Sequence, residues 1–324
     1  MTLLLTEHDV ESVLTLDLAL ACVETAQRAL GAQGVNHPRR RLPVPDGQLH
    51  YMTSSLPGVD AFGAKLYATG HGAPRFLVPL YRGSSGVLLA LIEADWLGRL
   101  RTGAASGVAT KFMARADAEV LGVIGTGGQA FTQVLAVCAV RPIKQVRVFG
   151  RDPARRAAFA RSLGGALTAE VQAVADARAA IEPADVVVTM TSASAPVFDG
   201  AWLKAGAHVN AAGSNHLLRR EIDGVTVARA ARVVADSVEQ ARLESGDLAA
   251  AVAEGALRWE DVLEFTDVVC GRVPGRITPD EITLFESHGL SAWDIATAVR
   301  VYDLARERGL GVEIPLFGGS PTKD

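Results

Sequence analysis

The sequence predicts an α/β protein, a Rossmann-type doubly wound parallel sheet joined to a second domain of α+β type. Three observations predict it. Residues 119–151 pass from an apolar run, Val120 to Ile124, through Gly125-Thr126-Gly127-Gly128-Gln129-Ala130 into a helix-compatible stretch and a second β-type run ending at Phe149. Beyond them, β-branched runs alternate with helical patterns, as in a parallel sheet covered on both faces. Before them, residues 34–91 read as short strands, the pattern of an antiparallel sheet.

The elements follow in order. Thr6, with Asp9 three places on, starts a helix. Thr15 caps a second, with Leu16, Leu20, Val23, Ala26 and Leu30 on one face and Gly31 at its end. Strands are expected at 49–53, 64–67, 76–81 and 87–92, the last two flanking a hairpin turn at 82–86. Residues 95–115 read as one helix, interrupted by Gly98 and Gly103, that leads into the second domain. After the glycine cluster, helices are expected at 153–163 and 171–181, then strands at 185–190, 207–211 and 232–235. Short helices at 236–243 and 259–264 precede a last strand at 282–285. A long amphipathic helix from Ser291 to Arg308 is stopped by Gly309, and the tail 318–324 is expected to be disordered. The domain boundaries are then 1–115 plus 300–324 for the α+β part and 116–299 for the Rossmann part.

The chain has 324 residues, enough for two domains with sizeable cores. At 49% hydrophobic and 21% charged it has the composition of a soluble globular protein. A net charge of −4 gives no basis for nucleic-acid binding. Cys22, Cys138 and Cys270 are sparse, form no C-x-x-C and suit a reducing compartment. The first residues lack a basic n-region and no apolar run reaches eighteen residues, so a cytoplasmic protein with no membrane span is expected. Seven histidines without metal-ligand spacing predict no metal.

The glycine cluster carries the first functional expectation. Gly125 permits a tight turn, Gly127 lets the backbone approach a pyrophosphate, and Ala130 is small enough for close helix–strand packing. N–H groups around Gly127, Gly128 and Gln129 would face the anion, with Thr126 between the glycines. A glycine-rich turn without a nucleotide is the alternative, and the strands on both sides favour the nucleotide. The second strand runs into Gly150-Arg151-Asp152-Pro153. An acid there would bind the ribose 2′-OH of NAD, whereas an arginine would pair with the 2′-phosphate of NADP. Arg151 comes first, so NADPH is expected as the preferred cofactor, with NADH possible. Asp152 has the alternative role of capping the helix opened by Pro153.

Ligands of such sheets bind beyond the strands' carboxyl ends. Thr189, Met190, Thr191 and Ser192 lie there, as do Gly213, Ser214 and Asn215, though each has an ordinary loop role as alternative. In the first domain Lys65 lies between Ala64 and Leu66, Arg101 interrupts the helix 95–115 beside small residues, and Arg40 sits in the cluster Arg39-Arg40-Arg41 before the strands. Buried cations need anionic partners. Exposure or pairing with protein carboxylates is one reading; convergence on a substrate carboxylate opposite a nicotinamide is the other.

The pattern resembles the ornithine cyclodeaminase/μ-crystallin family. The resemblance rests on Pro38-Arg39-Arg40, Tyr51-Met52, Ala64-Lys65-Leu66, Arg101-Thr102-Gly103-Ala104-Ala105-Ser106, the glycine cluster, His208-Val209-Asn210-Ala211-Ala212-Gly213, Arg220-Glu221-Ile222-Asp223, and the run from Ile282 through His288-Gly289 to near Asp294. It implies an N-terminal substrate-binding and dimerisation domain, completed by the C-terminal helix, around a Rossmann domain in a homodimer. By likeness Arg40, Lys65 and Arg101 bind the substrate carboxylate and Thr102 joins the glycine turn at the pyrophosphate. Thr189, Met190, Thr191, Ser214 and Asn215 then serve the nicotinamide side, and Met52, His288 and Gly289 close the pocket.

One departure bears on activity. Ornithine cyclodeaminases carry an aspartate in the loop where this chain has Gly213-Ser214-Asn215-His216. Asn215 stands in its place, and an amide cannot take a proton from an amine. The resemblance therefore implies an NAD(P)H-dependent reductase of small, cyclic α-imino acids such as Δ1-pyrroline-2-carboxylate or Δ1-piperideine-2-carboxylate, or the reverse amino-acid dehydrogenase. Arg40 and Arg101 would hold the carboxylate, and Lys65 would act on the imine nitrogen. The alternatives are an ornithine cyclodeaminase and a non-catalytic, NADPH-dependent small-molecule-binding protein like μ-crystallin.

Overall fold

A computed structural model describes residues 1–70 and 72–319; His71 and the end of the expected disordered tail, from Ser320, lie outside the described residues. The chain forms two compact units, Met1–Arg101 with Leu290–Asp324, and Thr102–Gly289. These boundaries differ from the expected ones at both ends. The first falls inside a helix, and Gly103 shows why: a Cβ there would lie 2.4 Å from the Thr132 carbonyl oxygen, so this part of the helix packs within the second unit. The second falls before the C-terminal helix, which belongs whole to the first unit.

The first unit opens with β1 (Thr2–Leu5), α1 (Glu7–Val13) and α2 (Leu16–Ala32). A capping box starts α1, Asp9 accepting from the Thr6 N–H at 2.9 Å. Strands β2 (Val35–Val44), β3 (Gly47–Leu56), β4 (Ala61–Thr69), β5 (Phe76–Arg82) and β6 (Leu88–Glu93) follow, then α3 (Asp95–Met113), shared between the units. The chain returns as α11 (Ser291–Arg308) and β15 (Val312–Ile314). The strands make one seven-stranded sheet in the order β15-β1-β6-β5-β4-β3-β2. It is mixed rather than antiparallel, because β1 pairs with β6 in parallel.

Helix α11 lies against α2 and strands β3 to β5. Its amphipathic pattern holds only in its last turns, since every residue from Ser291 to Ala298 is buried. Gly63 lets it approach the sheet: a Cβ there would sit 2.7 Å from Ile295 Cδ1. No α11 side chain caps its start; Asn36 of β2 does so, accepting from Ser291 Oγ at 3.0 Å and the Ala292 N–H at 3.1 Å.

The second unit holds β7 (Val120–Ile124), α4 (Gly128–Val140), β8 (Gln145–Phe149), α5 (Pro153–Gly164), β9 (Glu170–Ala173), α6 (Ala177–Ile181) and β10 (Val186–Thr189). Then come β11 (His208–Ala211), α7 (Gly224–Arg229), β12 (Ala230–Ala235), α8 (Val238–Glu244), α9 (Gly246–Ala253), β13 (Leu263–Glu264), α10 (Phe265–Val269) and β14 (Ile282–Glu286). The eight-stranded sheet runs β13-β12-β14-β11-β10-β7-β8-β9, and every pair is parallel. The predicted Rossmann-type architecture is present, and the strand order reverses between β7 and β10, where open α/β sheets bind ligands. The expected helix 171–181 is instead edge strand β9, paired with β8, followed by α6 with its own cap at Asp176. The expected helix 259–264 is a single 3-10 turn and the short β13.

Candidate active site

In the first unit, strand alternation puts Lys65 of β4 on the buried face, beside its cross-strand partner Met52 of β3. Room for the ammonium comes from α3, where a Cβ on Gly98 would lie 2.8 Å from Lys65 Nζ. One turn on, Arg101 points the same way. Both cations meet Asp294 of α11: Lys65 Nζ donates to Oδ1 at 2.7 Å and Arg101 Nε donates to the same oxygen at 3.1 Å. The Arg101 guanidinium lies 5.7 Å from the Trp293 ring and Lys65 Nζ lies 4.9 Å from the Phe76 ring. Burial pushes the Lys65 ammonium down to about 8; the Asp294 carboxylate opposes this, while the charges of Arg101 and Arg39 add to it.

The arginine beside this cluster is Arg39, not the expected Arg40. The β2–β3 register shifts between His37 and Arg40, and Pro38 and Arg39 occupy the bulge. Both turn inward, and Arg40 resumes the outward face, where it is exposed opposite Tyr51. A proline, which has no N–H for the ladder, sits naturally at such a bulge.

In the second unit, Gly125 ends β7 with φ +124, and a Cβ there would lie 2.3 Å from the Met190 carbonyl oxygen beyond β10. Gly127 caps α4 without any side-chain hydrogen bond, and a Cβ on it would meet nothing within 4 Å. Open space before such a helix start fits the pyrophosphate of a dinucleotide. Thr102 is tied to this region through its carbonyl, which accepts from Gln133 of α4 at 3.2 Å. At the end of β8, Arg151 is exposed, and Asp152 caps α5, accepting from the N–H groups of Ala154 and Arg155 at 2.9 and 3.0 Å.

The loops beyond β10 and β11 carry Thr189, Met190 and Thr191, and Gly213, Ser214 and Asn215. Glu221, wholly buried, joins them: it accepts from Thr189 Oγ1 at 3.1 Å, the Thr191 N–H at 2.6 Å and the Gly213 N–H at 2.7 Å. Ser214 is buried, its Oγ 3.4 Å from the His216 and Arg219 carbonyls, and Asn215 is half-buried. Beyond β14, His288 and Gly289 donate backbone N–H groups to Asp236 at 2.7 and 2.6 Å. Burial and neighbouring acids push Glu286 well above the usual carboxylate range, and burial raises Glu221 to about 7.

Arg39, Asp294, Glu221 and Asp236 were not expected. The rule that singled out Lys65, a charge set in apolar sequence, applies equally to Asp294 within Ala292-Trp293-Asp294-Ile295-Ala296. Among the described residues no group of His, Cys, Asp or Glu is placed to hold a metal, and no helix is long and apolar enough to cross a membrane.

The profile of the ornithine cyclodeaminase/mu-crystallin family matches residues 1–309. The chain belongs to this family. It is 35% identical over 323 residues to a Delta(1)-pyrroline-2-carboxylate reductase of Bacillus cereus, covering 96% of this chain and 99% of that one. Among solved structures, it is similar to Thermococcus litoralis Delta(1)-pyrroline-2-carboxylate reductase in complex with NADH and L-proline, with TM-score 0.92 and 34% identity over 97% of this chain and 100% of that one. It is also similar to an archaeal alanine dehydrogenase dimer with bound NAD, with TM-score 0.91 and 31% identity over 98% and 99%. This family member is thus homologous to oxidoreductases that act on C=N and CH–NH bonds.

Proposed function

We propose that the protein reduces small cyclic α-imino acids, Δ1-pyrroline-2-carboxylate or Δ1-piperideine-2-carboxylate, or runs the reverse amino-acid oxidation. The observation that carries this reading is the buried pair of Lys65 and Arg101 on one Asp294 oxygen, with the Arg39 charge beside them. Lys65 and Arg101 against one carboxylate leave positive charge that a substrate carboxylate neutralises. The relatives named for pyrroline-2-carboxylate reduction and alanine oxidation support the same substrate class.

Arg39 and Arg101 hold the substrate carboxylate, Arg39 taking the role first expected of Arg40. Met52 lies beside Lys65 and shapes the apolar side of the substrate site. When bound, NAD(P)H would supply the hydride for the imine carbon. Lys65 gives a proton to the nitrogen as the C=N π bond becomes a lone pair, and the neutral amine left on Lys65 takes a proton back from water. With its ammonium at about 8, Lys65 is charged near neutral pH yet acidic enough to donate. Asn215 lacks a titratable group, which sets the reading against cyclodeamination.

The cofactor is held by Thr102, Gly125, Thr126, Gly127, Gly128, Gln129 and Ala130 at the pyrophosphate and by Thr189, Met190, Thr191, Ser214, His288 and Gly289 at the nicotinamide side. NADPH is the preferred form, because Arg151 is exposed beyond β8 while Asp152 is engaged as a helix cap. NADH also serves, as the NADH- and NAD-bound relatives suggest. A homodimer is the working assembly, in line with the alanine dehydrogenase dimer.

The test is cofactor oxidation with the two imines, NADPH beside NADH. Turnover of either imine is expected, faster with NADPH. Conversion of ornithine to proline without imine turnover would overturn the reading.

A further inference from the structure

The loops beyond β10 and β11 meet at the sheet end, where the Ala212 N–H donates to the Thr189 carbonyl, and farther out they share the two oxygens of one side chain. That side chain is Glu221, eight residues past Gly213 in the segment that leads from β11 to α7. Its Oε1 accepts from the Thr191 N–H, and its Oε2 accepts from both the Gly213 N–H and Thr189 Oγ1. Gly213 is what lets it in: a Cβ there would sit 2.5 and 2.6 Å from the two carboxylate oxygens. The glutamate is itself fixed, since Asp247 accepts from the N–H groups of Glu221 and Ile222 at 2.8 and 2.9 Å. On its far side, the loop after β10 touches the glycine turn, with Met190 O and Thr191 Cγ2 at 2.3 and 3.4 Å from a Cβ placed on Gly125.

We propose that Glu221 is a positioning residue that clamps the two loops into one shelf for the nicotinamide–ribose half of the bound dinucleotide. The two oxygens of a carboxyl group suit this position, because three donors converge on them. A glutamine keeps the shape but turns an amide NH2 toward an N–H, so one loop loses its anchor and a buried donor is left unsatisfied. The adenosine half, which lies toward β8 in this type of fold, keeps its contacts. The inference rests on the second unit taking a dinucleotide and does not depend on the substrate.

The test compares the intact protein with Glu221→Gln by calorimetric titration with NADPH and with 2′-phospho-ADP, which lacks both the pyridine ring and its ribose. The expected result is a loss of about tenfold for NADPH, the scale of one hydrogen bond to a charged group, with the ring-less ligand unchanged within about twofold. Thr189→Val removes only the hydroxyl donor, so it serves if Glu221→Gln fails to fold; a smaller loss, again confined to NADPH, is expected. Equal weakening of both ligands, or no weakening of either, would overturn the clamp. Failure of the unaltered protein to bind either ligand would overturn the dinucleotide reading beneath it.

Discussion

Replacing Asp294 by asparagine tests the proposed proton donor directly. The substitution keeps an oxygen able to accept from Lys65 Nζ at 2.7 Å and Arg101 Nε at 3.1 Å, but it removes the anion from among three cations. Lys65 must then keep its charge through that hydrogen bond, against burial and two guanidinium groups. An ion pair at contact in a partly screened site is worth several kcal/mol, and its net hold on protonation is about 3 kcal/mol after the retained hydrogen bond is allowed for. At about 1.4 kcal/mol per pH unit, the Lys65 ammonium falls from about 8 to about 6. Near pH 7 the protonated fraction drops from about nine-tenths to about one-tenth.

The assay is the pH dependence of kcat/KM for imine reduction. The unaltered enzyme should lose activity above about pH 8 as Lys65 loses its proton. In Asp294→Asn that limb should begin near pH 6, with about a tenfold loss at pH 7 that is recovered in acid. Because a buried pair is broken, stability should also fall by about 3–5 kcal/mol, read by denaturant unfolding. A loss that is the same at every pH, or an alkaline limb that does not move, would refute Lys65 as the donor held charged by Asp294.

Three further outcomes follow from the same geometry. Arg39→Ala should raise KM for the imine about a hundredfold through loss of a buried charged contact, whereas Arg40→Ala should change it by less than about twofold; equal effects would contradict the bulge assignment. Gly98→Ala places a methyl 2.8 Å from Lys65 Nζ and should lower kcat about tenfold while NADPH affinity, measured by fluorescence, stays constant. Glu221 has a raised native value of about 7 against an ordinary 4.5, so its contribution to stability is full below pH 4.5 and is lost as pH rises through about 7. The fall in Tm between about pH 5 and about pH 8 should therefore be smaller in Glu221→Gln than in the unaltered protein, and parallel curves would exclude this source.

What the sequence made legible was local. The glycine turn announces itself because Gly125, Gly127 and the strand before them lie within a few residues, and the caps at Thr6 and Thr15 act over one helical turn. What it hid depends on partners far along the chain. Strand β1 is three leucines after a threonine, and it becomes a strand only because β6 and β15, distant in sequence, flank it. The sequence extends α6 back to Val171 because Val171, Val174 and Ile181 fit a helical stripe, whereas Val171 in fact pairs with Val146 in an edge strand. The arginine triplet gives no phase of its own, so a one-residue bulge at Pro38 decided whether Arg39 or Arg40 faces inward. Lys65 and Arg101 were visible as misplaced charges, but the aspartate that unites them is 229 and 193 residues away.

The fate of the buried acids explains why proton transfer falls to Lys65 on the proposed reading. The loop that would carry an acid–base aspartate has Asn215, which cannot titrate. Nearby, Glu221 and Asp247 are already accepting from backbone N–H groups, and Asp236 accepts from those of His288 and Gly289. A carboxylate committed to two main-chain donors cannot shuttle a proton without dropping one of them inside the protein, a cost of about 1–3 kcal/mol. Glu286, which burial and the neighbouring acids push well above the usual carboxylate range, accepts from Ser245 Oγ at 2.9 Å. These acids shape loops. Lys65 differs in kind: its long stem ends in three equivalent N–H bonds, of which Asp294 Oδ1 takes one. An ammonium that can lend a proton while its counter-ion stays fixed suits an imine, whose nitrogen needs one proton and whose carboxylate needs fixed positive charge.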